Sequence, residues 1–171
     1  MKYALDTNIF IDAFRDPTAE AALLRFLEGA LPFMFLSAVV MQELAAGART
    51  SVQTRELDRA VFRPFVRRQR VFTPTADAFI QSGRLLAAVA AREGWLAVHD
   101  NPSLLSDALL ATSCRERGIT LITHDTDFDR FAPFMKGWRH TAPWPVGALS
   151  TVCRARSTPT ARSGSYHAKA V

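Results

Sequence analysis

Asp6, Glu43, Asp107, Asp125 and Asp127 are acids set in apolar surroundings. Asp6 closes the run Tyr3-Ala4-Leu5. Glu43 and Asp107 lie among Leu44, Ala45, Ala108, Leu109 and Leu110. Asp125 and Asp127 follow the apolar stretch Ile119-Thr120-Leu121-Ile122, with Asp129 two residues further on. Carboxylates gathered in one place repel one another, which raises their pKa values and costs folding energy. Burying such a group without a partner is also expensive, and the sequence puts no basic residue beside Asp6, Glu43 or Asp107. A divalent cation resolves both problems. Mg²⁺ and Mn²⁺ prefer oxygen ligands, and Mg²⁺ keeps several waters beside one or two carboxylates. Each acid alone has an ordinary explanation. Asp6 could cap a turn, Glu43 could sit on a helix surface, and Asp107 could favour a helix dipole from its first turn. Asp125, Asp127 and Asp129 could be turn residues. Taken together, all of these explanations would have to hold at once.

The elements that must position these acids alternate between strand and helix. Tyr3 to Leu5 reads as a buried strand. A helix follows from Asp16 to Ala30, with Asp16 as N-cap, Pro17 at the first helical position and Gly29 as a stop. Residues 31–37 read as a second strand, and Ser37 caps a helix ending near Gly47. Residues 49–66 read as further helix and residues 70–75 as a short strand. Phe79, Leu85, Leu86 and Val89 recur at helical spacing within Ala76 to Glu93. Asn101-Pro102-Ser103 opens another helix, closed by Gly118. Residues 119–123 form a continuous apolar strand, and Trp144-Pro145-Val146 suggests a last one. Strands alternating with helices imply an α/β fold around a mostly parallel sheet. In such sheets ligands gather beyond the carboxyl ends of the strands, where Asp6 and Asp125 fall.

The 171 residues carry a formal charge of +5. Residues 150–171 hold Arg154, Arg156, Arg162 and Lys169 and no acid, which leaves +1 on residues 1–149. That final stretch is rich in Ser, Thr, Ala and Arg and lacks apolar periodicity, so a basic disordered extension is expected. Arg63, Arg67, Arg68 and Arg70 crowd into eight residues. They form either a solvated helix face or a phosphate-contacting patch for RNA. Cys114 and Cys153 give neither a disulfide framework nor zinc-finger spacing. No signal peptide or membrane span is legible, so a cytoplasmic setting is expected.

Three segments, LDTNIFID from Leu5, SAVVMQELAAGA from Ser37 and LLSDALLATSCRERGITLITHDTDF from Leu104, resemble the successive signatures of PIN domains, nearest to VapC-type toxins of bacterial toxin–antitoxin pairs. The resemblance runs from residue 1 to about residue 147 and is loosest between Arg49 and Trp95. It implies a PIN-like three-layer α/β/α sandwich with four to five strands, occupying residues 1–149. It also implies a Mg²⁺- or Mn²⁺-dependent endoribonuclease leaving a 5′-phosphate and a 3′-hydroxyl, held inactive by a cognate VapB-type antitoxin, and a homodimer. Residue by residue, Asp6, Glu43 and Asp107 match the family's first three acids, and Asp125, Asp127 or both supply the last. Thr7, Asn8 and Thr123 match polar positions that orient the acids or a water, and Phe128 matches a packing aromatic. His99, His124, His140 and His167 are too scattered for metal-free RNA cleavage, and His124 reads as peripheral. Two rivals differ in kind. A catalytically idle PIN-like module binding RNA or protein should have lost acids, and none is lost. An aspartate-based phosphoryl-transfer domain needs a lysine at a late strand end, where this chain has Leu121-Ile122-Thr123-His124-Asp125.

Overall fold

The computed structural model describes residues 1–144. Five strands form one sheet in the order β3-β2-β1-β4-β5, every neighbouring pair parallel. They are β1 (Lys2–Leu5), β2 (Met34–Ser37), β3 (Val71–Phe72), β4 (Ile119–Ile122) and β5 (His140–Thr141). Helices cover both faces, completing the three-layer α/β/α sandwich that the sequence implies. They are α1 (Thr7–Arg15), α2 (Pro17–Ala30), α3 (Ala38–Gly47), α4 (Ser51–Leu57), α5 (Arg63–Arg67), α6 (Ala76–Glu93), α7 (Leu96–His99) and α8 (Ser103–Glu116).

The strand order places one seam apart from the others. From β1 the chain builds outward through β2 to β3, then crosses back to lay β4 on the other side of β1. The crevice beyond the carboxyl ends of β1 and β4 is therefore the point where the winding reverses, the usual ligand position in an open α/β sheet. The register aligns Leu5 with Ile122, and the Asp6 N–H continues the ladder by donating to the Ile122 carbonyl at 3.0 Å. Asp6 and Thr123 thus leave the sheet side by side.

Local chemistry sets the boundaries. Asp16 caps α2 by accepting from the Thr18 N–H at 2.9 Å, with Pro17 next to it, as the sequence suggests. Ser37 caps α3, accepting from the Val39 N–H at 3.2 Å. Thr50 and Gln53 form a reciprocal capping box at the start of α4. Gly118, at φ +63°, takes the left-handed turn that releases the chain from α8 into β4.

Four features depart from the sequence reading. Thr7 to Arg15, which carries no helix expectation, is α1. Residues 31–33 are a short 3₁₀ turn, so β2 begins only at Met34. The edge strand described is His140–Thr141, whereas Pro145, Val146 and the basic extension from Ser150 lie outside the described residues. The helical stretch 49–66 is interrupted by a π turn over Asp58–Phe62, closed by the Arg63 N–H donating to the Asp58 carbonyl. Pro64 explains the interruption. Its ring removes an N–H and clashes with the carbonyl one turn back, and widening the preceding turn absorbs that clash.

The core lies against both faces of β1 and β4. Leu5, Met34, Leu36, Val40, Leu104, Leu110, Ile119, Leu121, Ile122, Phe128 and Phe131 are all buried. The Phe128 and Phe131 rings meet edge to face at 6.0 Å, fixing the segment that carries Asp125 and Asp127. Among the described residues no helix is long and apolar enough to cross a membrane. Leu121 is fully buried at the centre of β4. Leu121→Ala should lower unfolding free energy by roughly 2–5 kcal/mol in urea titration, the range for a core cavity that relaxes only partly.

Candidate metal centre

Asp6 anchors the site. It is only 6 % exposed and forms the N-cap of α1. Three neutral donors converge on its carboxylate. The Thr7 N–H reaches Oδ1 at 2.7 Å, while the Asn8 side-chain amide and the Thr123 hydroxyl reach Oδ2 at 2.9 and 2.7 Å. Asn8 also donates to the Thr123 oxygen at 3.0 Å, and that oxygen accepts from the Asp125 N–H at 2.9 Å. Thr7, Asn8 and Thr123, matched in sequence to orienting positions, are thus brought into one network around Asp6.

The remaining acids arrive from other elements. α3 brings Glu43, whose Oε2 accepts from the Thr7 hydroxyl. α8 brings Asp107, half-buried, with Oδ2 enclosed and lacking any hydrogen-bond partner. Asp125 caps a 3₁₀ turn over Thr126–Arg130, its Oδ1 accepting from the Asp127 N–H at 2.7 Å. Among the described residues no basic group pairs with Asp6, Glu43, Asp107 or Asp125.

The electrostatics record that crowding. Burial pushes Asp6 up from the usual 3.8 to about 6 against the opposing pull of the Thr123 and Thr7 hydrogen bonds, with Glu43 and Asp125 adding repulsion. Burial, with added repulsion from Asp6, Asp125, Glu43 and Asp127, also raises Asp107, to about 8. Four acids therefore act on the one carboxylate that has an orphaned oxygen.

Asp127 differs from its neighbours. Its Oδ2 accepts from the Asn101 amide at 3.2 Å, and its Oδ1 lies 3.7 Å from Arg130. Arg130 also grips Glu93 and donates to the Ala97 carbonyl at 3.4 Å, tying the acidic turn to α6 and α7. Asn101 is a site residue that the sequence reading missed. As part of an Asn-Pro-Ser helix start it resembles a cap, yet the first turn of α8 has no side-chain cap and the Asn101 amide turns to Asp127 instead. Asp129 points away and pairs with His140 at 2.9 Å. His124 is peripheral, exposed and 3.6 Å from Asp12.

One cleft reaches the acids at Glu43, and a second, lined by arginines, shares Arg59 with it. The first, of about 610 Å³, runs between α1, α3 and α4 and is lined by Ile11, Phe14, Glu43, Leu44, Leu57 and Arg59, among others. The second, of about 480 Å³, is lined by Arg59, Arg63, Pro64, Arg67 and Arg68. Arg63, Arg67 and Arg68 are therefore brought together as the sequence suggests. Arg70 is not: its guanidinium lies over the Phe35 ring, 4.8 Å from the centroid, where it packs against β2.

The donor set fits a hard divalent cation: all the groups are oxygens, two carboxylates are held above their usual range, and one buried carboxylate oxygen has no partner. Among the described residues no three His, Cys, Asp or Glu side chains stand ready to enclose an ion together. The five acids of the sequence reading are therefore not closed around one point, and a Mg²⁺ ion here would rest on one or two carboxylates with water in its remaining positions. A carboxyl group raised in the folded state holds a proton that the unfolded chain gives up near pH 4, so its ionisation removes stability as pH climbs to the folded value. In EDTA, melting temperature should fall between pH 5 and about pH 8 on account of Asp6 and Asp107. Asp107→Asn should flatten the upper half of that fall in a series of thermal melts; an unchanged slope would contradict the burial of Asp107.

The PIN domain model matches residues 3–133. Solved structures share the fold. The DNA-bound VapBC complex of Salmonella typhimurium aligns with TM-score 0.60 and 22 % identity over 83 % of this chain and 98 % of that one. VapBC2 from Rickettsia felis, bound to a fragment of its promoter, gives 0.58 and 19 % over 85 % and 100 %. A toxin–antitoxin complex from Klebsiella pneumoniae gives 0.55 and 23 % over the same shares. At such identities the likeness is one of fold. No curated protein sequence matches the chain. The family model spans most of the sequence, and the chain belongs to the PIN domain family.

Proposed function

We propose that this chain is the toxin of a VapC-type toxin–antitoxin pair, an endoribonuclease that hydrolyses RNA phosphodiester bonds with Mg²⁺ or Mn²⁺. The observation that carries the reading is Asp107, pushed up to about 8 by burial and by four other acids, with one enclosed oxygen unpartnered. A stable fold tolerates such a group more readily where a cation is its partner.

Asp6 and Asp107 are proposed as the acids that hold the cation directly, with Asp125 and Glu43 facing it through its coordinated waters. Such an ion lowers the pKa of a coordinated water and offsets charge on the scissile phosphate and leaving oxygen. The chain supplies the positioning. Thr123 and Asn8 fix the plane of the Asp6 carboxylate, so its orientation is set before substrate arrives. Thr7 holds Glu43 in place across the α1–α3 gap. Asn101 and Arg130 occupy both oxygens of Asp127, which gives that acid a supporting part and leaves Asp125 as the fourth acid with an oxygen to offer.

For the antitoxin, the cleft beside Glu43 is the proposed seat. One wall comes from Leu44 and Gly47 of α3 with Ala48 at its C-cap, and the opposite wall from Ile11 and Phe14 of α1. Phe14 is 59 % exposed there. An apolar segment of a VapB-type antitoxin would cover it, and an arginine from that segment would reach Glu43 by charge pairing. The solved complexes named above, each a toxin with its antitoxin, support this choice of partner. Homodimerisation and a cytoplasmic setting belong to the same proposal.

Two measurements test the reading. Millimolar Mn²⁺ should raise the melting temperature of the unmodified chain through binding linkage, and Asp6→Asn with Asp107→Asn should erase the gain. On RNA, cleavage should require Mg²⁺ or Mn²⁺, leave 5′-phosphate ends and drop at least about 100-fold in either single Asn variant, the scale of losing one preorganised electrostatic contact. Metal-independent cleavage, or full activity in Asp107→Asn, would rule the mechanism out.

A further inference from the structure

Beyond the acids, the most unusual charge on this molecule is the arginine cleft of the π turn and α5. Arg59, Arg63, Arg67 and Arg68 are all exposed, and with Pro64 they line one concavity of about 480 Å³. Arg59, Arg63 and Arg67 follow at intervals of four residues, a spacing at which like charges on a helix repel. A solvated helix face usually softens such repulsion with acids interleaved at the same spacing. Here only Arg63 is so paired, with Asp58 at 2.6 Å. Among the described residues no carboxylate forms an ion pair with Arg59, Arg67 or Arg68. Arg68 is held in place by donating to the Pro64 carbonyl at 3.2 Å. The backbone keeps these side chains together: Pro64 forces the wide turn, and that turn sets the direction in which Arg59 leaves relative to Arg63.

The position of Arg59 gives the cluster its meaning. Arg59 lines the arginine cleft and also the larger cleft that contains Glu43. The two concavities therefore share a wall, and a continuous surface leads from Glu43, past Glu56, to a row of guanidinium groups of which Arg59, Arg67 and Arg68 form no ion pair among the described residues.

We propose that this surface is the track of the RNA backbone: the phosphodiester cut at the acids belongs to a strand whose neighbouring phosphates are seated by Arg59, Arg67 and Arg68, with Arg63 alongside. The proposal rests on the nuclease reading above and names the part of the substrate that lies away from the cut. Guanidinium groups match phosphate oxygens two at a time, and the row needs no base edges, so the seat binds backbone without reading sequence. An acidic peptide is the weaker occupant. Continuing along the same surface, it would carry its negative charge to Glu43, whereas a phosphate arriving there meets the cation that the acids hold.

The test uses the full-length chain carrying Glu43→Gln to suppress cleavage while leaving Asp6 and Asp107 to hold the cation, with fluorescent single-stranded RNAs of increasing length. Binding is followed by anisotropy in Mg²⁺ across a KCl series. Affinity should step up at the length that first spans both acids and arginines. Arg59→Gln with Arg67→Gln and Arg68→Gln should remove that step and lower the slope of log Kd against log [KCl] by about 2, at about 0.7 per phosphate contact for a single strand. The corresponding triple Lys variant should keep the slope, which separates charge from fold, and melting curves of both triples should overlay the parent. Removing two exposed arginines elsewhere, Arg25→Gln with Arg84→Gln, should leave the length step intact. The seat is overturned if the Gln triple keeps both slope and step, if the Arg25 and Arg84 control loses as much slope per charge, or if the triple abolishes binding of an acidic peptide but not of RNA. Cleavage by the unmutated chain with Mn²⁺ is scored apart. Cleavage alongside arginine-independent binding overturns only the seat, and arginine-dependent binding without cleavage supports the seat while overturning the nuclease.

Discussion

The buried carboxylate of Asp6, at the seam where the sheet reverses direction, is the constraint on which the rest of the site depends. Three neutral donors hold it, and hydrogen bonds to a charged group are among the stronger ones available to a protein. Burial still wins, because the group sits well above the ordinary carboxylate range. The donors therefore orient the acid more than they stabilise its charge. Thr123 and Asn8 fix Asp6 relative to β4, and the Thr7 hydroxyl fixes Glu43 relative to α1, so β1, β4, α1 and α3 are locked together through a few polar contacts in an otherwise apolar interior.

The two acids of the last turn, equivalent on paper, are separated by their partners. Asp125 uses one oxygen to cap its own turn, and Asp127 has both oxygens engaged, by Asn101 and by Arg130. Arg130 is itself drawn toward Glu93, which Arg92 and Arg130 hold below the usual carboxylate range. The ends of α6 and α8 thereby anchor the acidic turn from behind, and the packed rings of Phe128 and Phe131 hold it from below. Rigid support of this kind would let the acids meet the proposed cation without rearrangement.

Charge of the opposite sign is managed differently. The acids are half-buried or buried and crowded around a point, whereas the arginines of the π turn and α5 are exposed and strung along a cleft. Desolvation thus amplifies the first set, while water and salt soften the second. In the proposed reading, repulsion within each set is offset by a counter-charge from outside the chain, compact for the acids and extended for the arginines.

Much was legible in the residues themselves. The alternation of apolar runs with capped helices determines a parallel α/β sandwich, since such signals are local, and the Asp16-Pro17 and Ser37 caps stand where they read. The acids were legible too, because Asp6, Glu43 and Asp107 stand out from apolar neighbours. Other features came only with the tertiary structure. Asp6 reads both as a site residue and as a possible cap, but the nine-residue helix α1 that it caps carries no helix expectation in the sequence reading. Asn101 looks like a helix start until α8 is set against the acidic turn, and Asp127 looks equivalent to Asp125 until Arg130 and Asn101 reach it across 3 and 26 residues. The division of the arginine run was equally hidden: Arg70 leaves the cluster to lie on Phe35, a residue 35 positions away that only the pairing of β2 with β3 brings near, and Arg59 joins it through a turn that Pro64 widens. Periodicity and capping act within a few residues, and a sequence displays them directly. A partner's identity depends on which distant segments the closed sheet brings into contact, and that is decided only when the chain has folded.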